Sequence, residues 1–150
     1  MKCPCGDGLY DDCCKPLHDG RYANDAKELM RSRYTAFCLK NVDYIIKTTA
    51  PSQQPLLDKT ALSVWADEMN WVGLDVISHT PKVGKHHAQV HFCAYFDNGQ
   101  GKQVHDELST FVKTNGVWYF LDPTVPKPTN KQPCLCGSGA KFKACCGKFL

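Results

Sequence analysis

The sequence predicts an α+β protein: helices first, then about four antiparallel strands, with a small cysteine-rich knuckle at each end. Three features carry this expectation. Apolar residues recur at helical spacing as far as Met69 and at a period of two from Trp71 onward. Eight of the ten cysteines lie in residues 1–20 and 134–150. Between those ends 113 residues remain, enough for one modest core.

Residues 1–20 read as the first knuckle and 24–123 as the α+β domain. Asn24 or Asp25 caps a helix over AKELMRSRYTAFCLKN, where Met30, Tyr34, Phe37 and Cys38 form one apolar stripe. Asn41 ends it, and DYIIKT adds a short second helix. PSQQP, with Pro51 and Pro55, is a break. DKTALSVWADEM forms a third helix capped by Asp58, with Leu62, Trp65 and Met69 on one face.

Alternation then gives the strands: Val72, Leu74 and Val76; Val90, Phe92, Ala94 and Phe96; Val104, Leu108 and Val112; and finally VWYFLD. DNGQG and Asn115-Gly116 supply hairpin turns. A run of helices followed by a run of strands is the α+β pattern. Residues 124–133, most of the proline-rich stretch PTVPKPTNKQP, read as an extended, semi-rigid linker to the second knuckle at 134–150.

The knuckles are too short to hold a core, and chains below about 40 residues usually need a metal or disulfides. Cys-x-Cys and adjacent Cys-Cys pairs suit a metal better than a disulfide framework, in a chain whose N-terminus carries no secretory signal. These features point to a cytoplasmic protein with reduced thiols. Four thiolates bind Zn²⁺ at about 2.3 Å in a tetrahedron with no open position, which makes a structural site. Cys134 and Cys136 face one ion if the chain turns between them, and Cys145 and Cys146 close it. Zinc also suppresses the reactivity that adjacent thiols would otherwise show. Cys38 and Cys93 fall in apolar patterns and read as buried small hydrophobes.

Net charge is only +3, but residues 126–150 hold Lys127, Lys131, Lys141, Lys143 and Lys148 with no acid. That end suits an acidic partner. Nucleic-acid binding through this tail, with Phe142 and Phe149, is disfavoured by the small overall charge. No apolar run is long enough for a membrane-spanning helix.

The segment CLCGSGAKFKACCG closely resembles the SEC-C motif, the zinc-binding module at the C-terminus of the SecA translocase ATPase. The resemblance implies that Cys134, Cys136, Cys145 and Cys146 are zinc ligands. It also implies a docking role like that of the SecA tail, which contacts the SecB chaperone. The N-terminal copy is looser: seven residues separate Cys5 from Cys13, where eight separate Cys136 from Cys145. A second zinc is expected there on Cys3, Cys5, Cys13 and Cys14, with His18 as an alternative ligand in place of Cys13.

The whole order, from a SEC-C-like end through MRSRYTAF and VWYFLD to a second SEC-C end, resembles the bacterial YchJ-type family. That resemblance implies an NTF2-like cone, a curved sheet wrapped around helices and often enclosing a pocket. His91, His105 and Glu107, with Tyr34, Trp65 and Trp118 as walls, are the pocket candidates, with Asp106 as a further acid and Tyr119 as a further wall residue. The plainer expectation is that the strand histidines and acids sit on a solvated face. Arg31 and Arg33 suit a carboxylate, a phosphate or a salt bridge. The leading functional expectation is a zinc-binding interaction or adaptor protein docking on an acidic protein partner, a chaperone or part of the secretion machinery. An NTF2-like enzyme or small-ligand-binding protein with a polar pocket is the alternative.

Overall fold

The computed structural model describes residues 1–150 throughout. Four helices precede four strands: α1 (Lys15–His18), α2 (Ala26–Cys38), α3 (Val42–Lys47), α4 (Lys59–Glu68), β1 (Trp71–Thr80), β2 (His87–Asp97), β3 (Lys102–Thr114) and β4 (Val117–Phe120). The strands form one antiparallel meander in the order β1-β2-β3-β4. Segment Thr48–Ala50 extends the sheet beyond β4, with Ala50 N donating to Phe120 O and Phe120 N to Thr48 O.

Local chemistry explains the boundaries. Asp25 accepts from Glu28 N at the start of α2, and Asp58 accepts from Ala61 N at the start of α4. Asn41 was expected to end the first helix, but it starts the next one. Lys40 takes a left-handed φ of 60°, α2 closes at Cys38, and the Asn41 side chain accepts from Tyr44 N. The PSQQP break is a 3₁₀ turn, Pro51–Leu56. Asn115 and Gly116, with φ of 51° and 80°, make the tight β3–β4 turn.

Helix α2 is the axis of the molecule. Its Ala26, Leu29 and Met30 pack on Ala88, Val90 and Phe111 of the concave sheet face. Ser32 and Thr35 lie on its other side and Arg33 faces the concave sheet beside Met30, and all three polar residues are enclosed. Each finds a partner, as buried polar groups must: Ser32 Oγ lies 2.7 Å from Tyr44 Oη, Arg33 Nη1 donates to Ile45 O, and Thr35 Oγ1 lies 3.6 Å from Cys3 Sγ.

Three strand expectations need correction. The Val72, Leu74, Val76 alternation is broken because register shifts in β1 leave Val72 and Ile77 without cross-strand partners. Both are exposed, and Leu74 and Val76 alone reach the core. Val104 and Leu108 of β3 are 55% and 58% exposed on the convex face, while His105 and Glu107 face the concave side. Cys93, expected inside, is half-exposed on that convex face opposite Asp106. The bulges generate a paired prediction. Val72→Thr is expected to change stability by less than ~0.5 kcal/mol, whereas Val90→Ala is expected to cost about 2 kcal/mol. Urea unfolding of the two variants measures the difference.

Candidate metal centres and the cone cavity

The two ends fold alike. In the C-terminal knuckle Cys134 N donates to Ala140 O and Gly137 N to Cys134 O, which wraps the chain around the first sulfur pair. Gly137 and Gly139 take φ of 78° and 85°, a conformation costly for residues with a Cβ. A 3₁₀ turn, Phe142–Ala144, then delivers Cys145 and Cys146. Gly147 is fixed by space, since a Cβ there would stand 2.5 Å from Phe142 O.

The N-terminal knuckle repeats each step. Cys3 N donates to Gly8 O, Gly6 N to Cys3 O and Cys13 N to Tyr10 O, with Tyr10–Asp12 as the 3₁₀ turn. The shorter loop is absorbed at one place: Gly8 O accepts the bond that Ala140 O takes in the other copy. The sulfur pairs therefore converge without recruiting another ligand. His18 points elsewhere, its Nδ1 2.8 Å from Tyr10 Oη and its Nε2 2.9 Å from Ser32 O.

Cys3, Cys5, Cys13 and Cys14 form one cluster, and Cys134, Cys136, Cys145 and Cys146 another, with sulfurs all within 4.8 Å of one another in each. Individual separations are 3.5 Å for Cys3–Cys5 and Cys5–Cys13, and 3.8 Å for Cys13–Cys14 and Cys5–Cys14. Cys136 and Cys145 lie 3.5 Å apart. A tetrahedron with sulfur about 2.3 Å from its centre has edges of about 3.8 Å. The donor sets fit a four-coordinate thiophilic ion, and all ten cysteines are free of disulfides.

Crowding makes the thiols unequal. A hydrogen bond from Cys14 pulls Cys5 down to about 5 against the opposing effect of burial, while burial pushes Cys13 up to about 12. Cys14 is raised by its bond to Cys5 and by burial. At the other end burial pushes Cys145 up to about 11 and also raises Cys146. Burial opposes ionisation of Cys136 as well, but hydrogen bonds from Ser138 and Cys145 outweigh it and lower the thiol. Only a bound cation lets four such sulfurs ionise together at neutral pH.

Both knuckles are built into the cone. Phe142 and the C-terminal sulfurs pack on Ala50, Val112 and Leu121. Ser52 Oγ donates to Leu135 O, Thr114 Oγ1 to Cys136 O, and His87 Nε2 lies 3.2 Å from Cys146 Sγ. Phe149 packs tilted against the His87 ring at 4.6 Å. At the other end Arg31 Nη1 donates to Cys5 O, and Cys3, Cys5 and Cys14 pack with Tyr34 and Ala94. Sequence spacing gave no warning of His87, which lies 59 residues from Cys146; two adjacent histidines were the only signal.

Between α2, α4 and the concave face lies a cavity of about 380 Å³. Tyr34, Trp65, His105 and Glu107 line it. His91 does not: it sits on the convex face with Nε2 2.6 Å from Asp106 Oδ1, because its strand position is opposite Phe92. Trp118 is absent from the lining too, packed beside the α2 core with Lys113 over its ring. His105 Nε2 lies 3.0 Å from Glu107 Oε1, and Ser109 Oγ donates to Glu107 Oε2. Arg33, Trp71, Asp122 and Thr124 complete the polar part of the wall. No helix is long and apolar enough to cross a membrane.

A cone of helices on a curved four-stranded sheet, bracketed by two four-cysteine modules, defines an NTF2-like protein with SEC-C-type ends. Residues 25–123 match the model of the YchJ middle NTF2-like domain, and residues 131–148 match the SEC-C motif. The chain belongs to the YchJ family. It is 53% identical to a UPF0225 protein of Actinobacillus succinogenes over 99% of this chain and 97% of that one. A UPF0225 protein of Haemophilus influenzae strain PittEE is 51% identical over 99% and 93%. The crystal structure of a SEC-C motif containing protein from Psychrobacter arcticus superposes with a TM-score of 0.95 at 51% identity, covering 100% of this chain and 97% of that one. The solution structure of another from Rhodopseudomonas palustris gives 0.73 at 40% identity, covering 81% and 96%.

The orientation of His18 separates the two N-terminal ligand sets. His18→Ala is expected to leave the metal content unchanged and to cost about 1–2 kcal/mol through its lost hydrogen bonds. Cys13→Ser is expected to lower the metal content by one ion per chain, as elemental analysis of the purified variants would show.

Proposed function

We propose that both clusters hold Zn²⁺ and that this is a cytoplasmic zinc-binding interaction protein whose C-terminal module docks on an acidic protein surface. Cys3, Cys5, Cys13 and Cys14 form one ligand set and Cys134, Cys136, Cys145 and Cys146 the other. All-sulfur, four-coordinate sites select soft or borderline metals and leave no position for substrate, which supports a structural role. When bound, Zn²⁺ supplies a fixed cross-link where each knuckle is too small for a core. His87, bonding at Cys146, acts as the outer partner that orients a ligand.

The docking reading is carried by one observation. Lys127, Lys131, Lys141, Lys143 and Lys148 are all exposed, and none forms an ion pair. They lie off the face that packs on Val112 and Leu121, so the module is anchored on one side and basic on the other. Such a surface favours an acidic protein and speeds its association. The likeness to the SecA tail favours a chaperone or secretion component as that partner. The overall charge of +3 gives little support to nucleic acid.

Native mass spectrometry is expected to find two zinc ions per chain. Surface plasmon resonance against the SecB chaperone is expected to show saturable binding that weakens with salt. The combined Lys131→Glu, Lys141→Glu, Lys143→Glu and Lys148→Glu variant is expected to lose at least tenfold in affinity. Binding indifferent to salt and to those reversals, or no binding, would remove this reading.

A further inference from the structure

We propose that the cone cavity is a binding site for a small aromatic carboxylic acid, with the carboxylate paired to Arg33 and the ring held between aromatic walls. This goes beyond the docking reading and is independent of it.

Arg33 is the starting point. It is 8% exposed, yet no carboxylate lies within 4.0 Å of it. Nη1 is fully engaged, donating to Ile45 O at 2.8 Å and Thr48 Oγ1 at 2.6 Å. Phe120 covers one face of the guanidinium, its centroid 4.4 Å from Cζ. Nε and Nη2 have no acceptor in the protein, and neither is sealed from the cavity that Arg33 lines. A buried cation with two parallel donors to spare is matched by a planar anion. Burial lowers Arg33 to about 10, which leaves it charged at neutral pH.

Trp71 contributes its ring to the wall, but its Nε1 is sealed from the cavity, so Arg33 alone supplies the unpaired donors. The two acids on the wall do not compete for these donors. Glu107 is held by His105 and Ser109, and Asp122 Oδ1 accepts from Thr124 N and Oγ1.

The rest of the wall sets the ligand's body. Tyr34, Phe37, Trp65, Trp71, Phe92 and Phe111 offer flat apolar surfaces. The volume of about 380 Å³ falls at the small end of the range of about 300–1,000 Å³ typical of small-molecule sites. One guanidinium, with Glu107 and Asp122 on the same wall, can balance no more than a single added negative charge. A phosphate dianion would bring a second negative charge beside Glu107 and Asp122. Leu62 and Trp65 of α4 line the cavity, and α4 buries only Ala66, so displacing it would disturb little of the core.

The test is isothermal titration calorimetry on the full-length, zinc-loaded protein with 2-naphthoate and its neutral isostere 2-naphthamide. Naphthoate is expected to bind one to one, and the amide at least tenfold more weakly. Arg33→Gln is expected to abolish the preference. Because Arg33 also ties α2 to α3, Glu107→Gln gives an independent reading: it removes a negative charge from the wall and is expected to tighten naphthoate severalfold without affecting the amide. Equal or better binding of the amide, no binding of either probe, or naphthoate affinity indifferent to Glu107→Gln would overturn the proposal.

Discussion

Four sulfur atoms forced to within 4.8 Å of one another, twice in one chain, are the constraint on which the structure depends. Thiols so close cannot all ionise by themselves, and thiolates so close repel. The tight turns at Gly6 and Gly137 make the geometry possible, and a bound cation would make it stable. Neither cluster is a pendant. The C-terminal sulfurs bury against Val112 on one face of the sheet, while the N-terminal ones bury against Tyr34 and Ala94 on the other. Disorder of either cluster would therefore be felt in the cone, and residues 134–150 are not a detachable tag. The linker is part of the same body, since Val125 is buried and Lys143 N donates to Asn130 O.

Much of this was legible in the residues. The helix caps at Asp25 and Asp58, the Asn115-Gly116 turn and the order of helices and strands all follow from local chemistry that needs no tertiary context. The SEC-C spacing was equally local. The remainder turns on backbone geometry that residue type does not announce. Val72 looks like a core residue until a bulge removes its cross-strand partner. Asn41 can end one helix or begin another, and the left-handed Lys40 decides it.

Strand β3 shows the limit most clearly. Apolar Val104 and Leu108 alternate with polar His105 and Glu107, and alternation alone assigns the apolar set to the core. The cone inverts this for the outer half of the strand. Its concave side encloses a cavity rather than a solid core, so polar groups face in and Val104 and Leu108 face out. Further along, Val112 on the same side as Leu108 is fully buried, because the C-terminal knuckle covers it. One strand face is thus solvent at one end and interior at the other, a change that no single period in the sequence encodes.

The same enclosure explains why α2 carries buried polar residues on two sides. Packed on the sheet alone, the helix would present Ser32 and Thr35 to water; here α3 and the N-terminal knuckle close over them. Arg33 faces the cavity and is tied to Ile45 of α3 and to Thr48 just beyond it. Tyr34 belongs at once to the surface beneath the N-terminal sulfurs and to the wall of the cavity, as do Phe92 and Ala94. The metal centre and the cavity therefore share a wall: the module that fixes the outer side of α2 also fixes the cavity's shape. A cone this small, with much of its concave face given to a cavity rather than to packed side chains, has little core to stabilise it. Two ends cross-linked by metal, as proposed, would supply rigidity that a filled interior otherwise provides.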